Sequence, residues 1–274
     1  MIEVKKNNFL FNEDVNTCLE SIIKNKSFAN GYIFYGVEGV GKKETALKFI
    51  KDIFKESSPI GNIEERIIKN NHPDFLIIKP SSSLEDQRSK NSRLKKNESE
   101  IIKIDKIRNI KNFLGQKSIN SDKKIVLIID AHFLNEAASN CLLKTLEEPN
   151  NGIFILLTSK LNLLLDTIIS RCQLIRFRPF SRKHINNILK DYLDTSNVNL
   201  NRNLKIEDLI NSANGSPSQL LDIIEIWNEL SEELISKLDF PIKNSLEILE
   251  LSKLISDKLE IYQQVMLVNY IQFI

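Results

Sequence analysis

The chain has 274 residues, with 38 lysine and arginine residues against 36 aspartate and glutamate residues, for a net charge of +2. This balance favours neither a nucleic-acid-coating protein nor an acidic one, and the length allows one large domain or two to three smaller ones. The three cysteines, Cys18, Cys141 and Cys172, form no C-x-x-C pair, which argues against a disulfide framework and against a zinc site. The sequence has neither an apolar run of about 20 residues nor a signal-peptide core, so we expect a cytoplasmic protein without a membrane partner.

The first elements of the chain predict a phosphate-binding loop. An amphipathic lead-in helix up to about Asn30 is followed by a strand over Gly31–Tyr35 and then by the glycine-rich run GVEGVGKK. A helix with an apolar face continues from there to Phe54. This order of strand, glycine loop, lysine and helix is typical of a P-loop, in which backbone N–H groups and the helix N-terminus surround a phosphate.

The residues predicted to hold a nucleotide in this loop are Gly36, Gly39, Gly41 and Lys42. Lys42 would reach the β- and γ-phosphates, but the next position, which normally supplies a magnesium-binding hydroxyl, is Lys43. A protonated lysine has no lone pair for a metal and repels it. The loop therefore has the shape of a P-loop without its metal-binding chemistry, and an ordinary glycine turn is the alternative interpretation.

The middle of the chain predicts one buried strand and one long loop. The strand lies within His72–Pro80, and we interpret His72 as structural because no second metal ligand is near it in the sequence. Ser81–Glu100 has almost no large apolar residues, which predicts a solvated mobile loop rather than a nucleic-acid contact. An amphipathic helix follows over Ile104–Leu114.

The stretch from Lys124 to Pro179 predicts most of a nucleotide-binding fold. Buried strands are expected over 125–129, 153–157 and 174–177, with a helix after the first and a short helix over 161–169. Asp130 and Thr158 follow two of these strands, at the edge where parallel sheets bind ligands. Ala131 occupies the position of the glutamate that activates water in hydrolysing P-loop enzymes.

Beyond Pro179 the sequence has a helical period throughout. The predicted fold is α/β with a five-stranded parallel sheet, followed by helices. We predict a nucleotide-fold domain over 1–180, a small helical lid over 181–230 and a helical region over 231–274.

Three segments of the chain form a recognisable set of motifs, namely GVEGVGKKE, IDAHFLNEAASNCLLKTLEEPNNGIFILLTS and ISRCQLIRFRP. Together they resemble the clamp-loader family of AAA+ proteins, and within it the delta-prime subunits of bacterial DNA polymerase III. The resemblance covers residues from about 30 to 230. It implies that Arg171 is an arginine finger offered in trans to ATP on a neighbouring subunit, and that Thr158 is a sensor residue.

The same resemblance leaves alternatives and shows differences. Arg171 could instead pair with a carboxylate at the domain edge, and the Thr158 hydroxyl could bond to backbone. Ser218 stands where ATPase relatives carry a second-sensor arginine. Residues 51–72 contain no cysteine, so no zinc module is expected, and 231–274 implies a shortened collar.

The resemblance therefore implies a structural clamp-loader subunit without enzymatic activity of its own, within a DNA-directed DNA polymerase III holoenzyme. Its implied partners are ATPase subunits and a clamp-opening delta subunit in a ring, and, through the ring, a sliding clamp and primed DNA. No cofactor is required, and ATP binding stays open because Lys42 is retained. The alternatives are an active ATPase subunit of the gamma/tau kind and a small-molecule P-loop kinase.

Overall fold

The computed structural model describes residues 12–57, 63–80, 101–196, 206–231, 234–235, 245–259 and 261–271. By their contacts these residues fall into two compact units. The sheet unit comprises residues up to Val37 together with Lys42–Arg178. The helical unit comprises Glu38–Gly41 and the residues from Pro179 onward. The amino-terminal lead-in before residue 12 and the predicted loop Ser81–Glu100 lie outside the described residues.

The sheet unit is a parallel β-sheet with helices between its strands. In chain order its elements are α1 (Glu13–Lys24), β1 (Gly31–Tyr35), α2 (Lys42–Ser57), α3 (Ile63–Ile68), β2 (Phe75–Ile78), α4 (Ile104–Gly115), β3 (Lys124–Ile128), a 3₁₀ turn (Ala131–Phe133), α5 (Glu136–Glu147), β4 (Gly152–Thr158), a second 3₁₀ turn (Leu161–Leu163), α6 (Asp166–Ile169) and β5 (Gln173–Arg176).

The five strands lie in the order β2-β3-β4-β1-β5, and every neighbouring pair is parallel. The predicted α/β fold with a five-stranded parallel sheet is therefore confirmed. Burial explains why the central strands read as continuous apolar runs, since every residue of β3 and β4 is buried. β5 lies at an edge, and Ile175 is its only buried residue.

The predicted short helix over 161–169 is wrong in one respect, because it is interrupted. The 3₁₀ turn ends at Leu163, and Leu164 is extended, with φ −83° and ψ 147°. Its side chain is thereby buried among the apolar residues between the sheet and its helices. Burial of Leu164 thus accounts for the break before α6.

The helical unit contains α7 (Arg182–Ser196), α8 (Ile206–Ser212), α9 (Pro217–Glu229), α10 (Ser245–Lys258) and α11 (Ile261–Ile271). These helices share one apolar core, in which the Trp227 and Tyr270 rings meet edge to face at 5.1 Å. Residues on both sides of the predicted boundary at 230 contribute to this core, and the predicted domain limits stay predictions. Within the described part of the chain, no helix is both long and apolar enough to span a membrane.

Candidate functional site

The first candidate residues lie where β1 ends and α2 begins. Gly36 follows β1 with φ +154°, and a Cβ atom there would lie 2.3 Å from the carbonyl oxygen of Phe177. Only glycine fits this close approach. The Lys42 ammonium donates hydrogen bonds to the carbonyl oxygens of Gly36 at 2.7 Å and Val37 at 2.6 Å. A phosphate would have to compete with these carbonyls for the lysine.

The tip of the loop belongs to the helical unit and is held by the start of α9. Gly39 and Gly41 have φ angles of +73° and +84°, which favour glycine. The Gly39 carbonyl accepts a hydrogen bond from the backbone N–H of Ser218 at 3.2 Å. A Cβ at Gly39 would lie 2.3 Å from the hydroxyl oxygen of Ser216, which caps α9. Ser218 therefore binds the loop through its backbone N–H.

Asp130 lies two residues beyond the end of β3, in a left-handed conformation with φ +51°. Its carbonyl accepts a hydrogen bond from the N–H of Phe133, which closes the 3₁₀ turn. Ala131, the predicted counterpart of a water-activating glutamate, is fully buried and offers only a methyl group. Position 131 at this edge of the sheet therefore supplies no side chain that could act as a base.

The hydroxyl of Thr158 is occupied by protein groups. Thr158 is fully buried at the end of β4. Its Oγ1 accepts a hydrogen bond from the N–H of Lys160 at 3.1 Å and lies 3.3 Å from Nδ1 of His132. The backbone-bonding alternative for Thr158 is thus observed, with a histidine as an additional partner. Sequence reasoning missed His132, and its only signal was its place two residues after Asp130.

The sheet brings the nucleotide-type residues together and separates them from Arg171. Tyr35 is level with Thr158, and Ile128 is level with Leu156. Gly36, Lys42, Asp130 and Thr158 therefore share the carboxyl edge of the strands. Arg171 instead precedes β5, whose first residue is level with Tyr32 near the start of β1. The five residues of β1 put roughly 16 Å between the two edges.

Arg171 is exposed and already has two protein partners. Its Nη2 lies 2.6 Å from Oε1 of Glu147, and its Nη1 donates to the carbonyl oxygen of Thr167 at 3.1 Å. The alternative in which Arg171 pairs with a carboxylate is thus observed, and sequence reasoning had not identified Glu147. The next residue, Cys172, packs against Gly31, and burial raises the pKa of its thiol to about 11. Cys172 is therefore a packing residue beside the arginine.

The described residues contain no group of three or more histidine, cysteine, aspartate or glutamate side chains that could hold a metal ion. His72 stacks on the Phe54 ring at 4.2 Å, and its Nδ1 accepts a hydrogen bond from the N–H of Asp74. These contacts give it a structural role. The expectation that the chain binds no zinc stays a prediction.

Comparisons with known proteins match two successive segments of the chain to families of DNA polymerase III subunits. Residues 11–181 match the family described as "DNA polymerase III, delta subunit", and residues 183–274 match "Cyanobacterial DNA polymerase III delta prime, C-terminal domain". DNA polymerase III subunit delta' of Bacillus subtilis (strain 168) is 31% identical over 173 residues, which are 61% of this chain and 47% of that protein. Subunit tau of the same organism is 26% identical over 220 residues, which are 78% of this chain and 36% of that protein. The matches thus span less than half the length of these two relatives.

Among solved structures, a point variant of Thermotoga maritima RuvB superposes with a TM-score of 0.51 at 13% identity. The superposition covers 93% of this chain and 74% of that one. At this identity the likeness establishes a shared fold and nothing about activity.

Proposed function

Because the chain belongs to the DNA polymerase III delta/delta-prime family, we propose that it is a clamp-loader subunit that does not hydrolyse ATP itself. In this proposal it joins ATPase subunits and a clamp-opening subunit in a ring that places a sliding clamp on primed DNA. Its chemical contribution is Arg171, offered to ATP bound by the neighbouring subunit.

The observation that carries the proposal is the position of Arg171. Its guanidinium is partly exposed, and its backbone precedes β5 at the amino edge of the sheet, which β1 separates from the P-loop edge by roughly 16 Å. At that distance it cannot reach a phosphate on its own P-loop, whereas an exposed edge is open to a second subunit. A guanidinium beside a γ-phosphate neutralises charge that develops during transfer, and arginine fingers accelerate such reactions by about 10³–10⁵.

The absence of hydrolysis is supported at three positions. Lys43 stands where a hydroxyl would bind magnesium, and Ala131 where a carboxylate would activate water. The Lys42 ammonium bonds to two carbonyls of its own loop. Lys43 and Ala131 lack the metal-binding and water-activating groups, and the carbonyls compete with a phosphate for Lys42, so restoring one group alone leaves the reaction incomplete.

Two experiments test the proposal. In the first, the purified chain is titrated with a fluorescent ATP analogue with and without Mg²⁺, and hydrolysis is measured in parallel. We expect no turnover and no magnesium-dependent binding. Steady turnover with magnesium-dependent binding would establish the alternative, an active ATPase subunit.

The second experiment uses the reconstituted loader, with every ATPase site inactivated except the one that faces this chain. We expect Arg171→Ala to lower hydrolysis at that site by about 100-fold or more. Arg178→Ala is the matched control, because Arg178 is also exposed and follows β5 by two residues. Equal activity of the two variants would refute the role of Arg171.

A further inference from the structure

The two protein contacts of Arg171 leave part of its guanidinium available. An arginine side chain carries five N–H donors. One on Nη2 faces Glu147 at 2.6 Å, and one on Nη1 faces the Thr167 carbonyl at 3.1 Å. These contacts fix the plane of the group from two directions. Within the part of the chain that the structure describes, the Nε–H and one N–H on each terminal nitrogen have no protein partner. The guanidinium can therefore bind a phosphate oxygen without releasing either partner.

Glu147 occupies a position that its own helix does not favour. It is the last residue of α5, and a carboxylate at a helix C-terminus faces the negative end of the helix dipole. Its pairing with Arg171 offsets this, but the side chains are 52% and 39% exposed, and such pairs contribute little to stability. The helix dipole therefore disfavours a glutamate here, and the ion pair offsets this only partly. Departures from local preference of this kind are found at functional sites.

We propose that Glu147 is a positioning residue for Arg171. The inference rests on the proposed function and adds to it a residue that acts through the finger. A free arginine side chain samples many rotamers, and each must be given up when the group meets the γ-phosphate of a neighbour. Glu147 and the Thr167 carbonyl fix the guanidinium before that encounter, so the side chain loses less conformational entropy on reaching the transition state.

Glu147→Gln is the informative variant, because it keeps the shape of the side chain and removes its charge. In the reconstituted loader with one active ATPase site facing this chain, we expect it to lower kcat about 5- to 10-fold and to leave KM for ATP unchanged. We expect kcat to fall without a change in KM, because Arg171 stabilises charge that appears only in the transition state and not in the bound substrate. Glu148→Gln is the matched control, since it makes the same change at the next residue, which is also exposed.

A double-mutant cycle shows whether Glu147 acts through Arg171. Arg171→Ala with Glu147→Gln should be as slow as Arg171→Ala alone, because a missing finger cannot be mispositioned. Ring assembly of every variant is checked by gel filtration.

The possible outcomes separate the two proposals. If Arg171→Ala leaves hydrolysis unchanged, the proposed function fails and the positioning role fails with it. If Arg171→Ala is slow while Glu147→Gln matches Glu148→Gln, only the positioning role is refuted. The role of Glu147 is also refuted if its effect multiplies that of Arg171→Ala, or if Glu147→Gln raises kcat.

Discussion

Asp74 offers a sharp test of how the sheet unit is held together. Its carboxylate is fully buried and accepts hydrogen bonds from three consecutive backbone N–H groups, those of Ile119 at 2.9 Å, Asn120 at 2.7 Å and Ser121 at 3.1 Å. These residues form the connection between α4 and β3. We predict that Asp74→Ala releases this connection and destabilises the sheet unit.

The expected loss can be worked out from these bonds. A hydrogen bond to a charged acceptor contributes about 1.5–3 kcal/mol, and the buried carboxylate has three from N–H donors. The full sum is an upper limit, because Ile119 is 74% exposed and water can reach the released N–H groups. We therefore expect Asp74→Ala to cost about 2–4 kcal/mol of unfolding free energy. Asp74→Asn should cost less than Asp74→Ala, because its amide oxygen can still accept hydrogen bonds. It should still cost some stability, because its NH₂ group would face the remaining N–H donors.

Urea unfolding at pH 7 measures the loss, and hydrogen exchange at residues 119–121 locates it. Ser121→Ala is the control. The Ser121 hydroxyl donates to the Lys123 carbonyl oxygen at 2.5 Å and lies 3.4 Å from the Asp74 carboxylate, so its loss should cost about 1 kcal/mol. The reasoning is wrong if Asp74→Ala unfolds like Ser121→Ala, or if exchange at residues 119–121 stays slow.

Three further predictions concern single side chains. Gly39→Ala should cost about 2 kcal/mol or more in urea unfolding, because φ is +73° and the new Cβ would lie 2.3 Å from a hydroxyl oxygen, whereas Gly115→Ala, with nothing within 4 Å, should be neutral or stabilising. Equal effects would contradict this account of the loop. With a thiol pKa of about 11, Cys172 is only about 0.1% thiolate at pH 8. Mass spectrometry should therefore find the exposed Cys18 alkylated at least about 50-fold faster than Cys172. Similar alkylation rates would mean that the Cys172 thiol is accessible and reactive. Burial lowers the pKa of His72, so the unfolded state binds the imidazole proton more tightly, and the stability of the fold decreases as the pH drops below about 6.5. The His72→Gln variant should therefore lose less stability than the wild type between pH 7 and pH 5. Parallel plots of stability against pH for the two proteins would exclude His72 as the cause of the pH dependence.

Sequence patterns predicted the strands well because burial on both faces leaves a local signature. The predicted bounds of β1, Gly31–Tyr35, agree with the structure, and the five parallel strands follow from apolar runs alternating with helices. The common edge of Asp130 and Thr158 was also predictable, because residues that follow parallel strands meet at one edge.

The partners of individual side chains were not predictable from the sequence. Arg171 and Glu147 are 24 positions apart, and periodicity does not distinguish Glu147 from the other exposed carboxylates. The bonds from Lys42 to its own loop depend on the backbone conformation of a few residues. The hydrogen-bond partner of a side chain depends on the tertiary structure, and the local sequence pattern does not determine it.

The parallel sheet places the altered P-loop residues and Arg171 at opposite edges. Lys43 and Ala131 alter the carboxyl edge, whereas Arg171 lies at the amino edge, roughly 16 Å away. Changes farther apart than about 10 Å, with no shared partners, usually add in free energy. Lys42→Met and Arg171→Ala should therefore act additively on hydrolysis by the reconstituted loader, whereas the Glu147 and Arg171 changes should not. A strongly non-additive effect of the Lys42 and Arg171 substitutions on hydrolysis would mean that the two edges are energetically coupled. A change at the P-loop would then alter the contribution of Arg171.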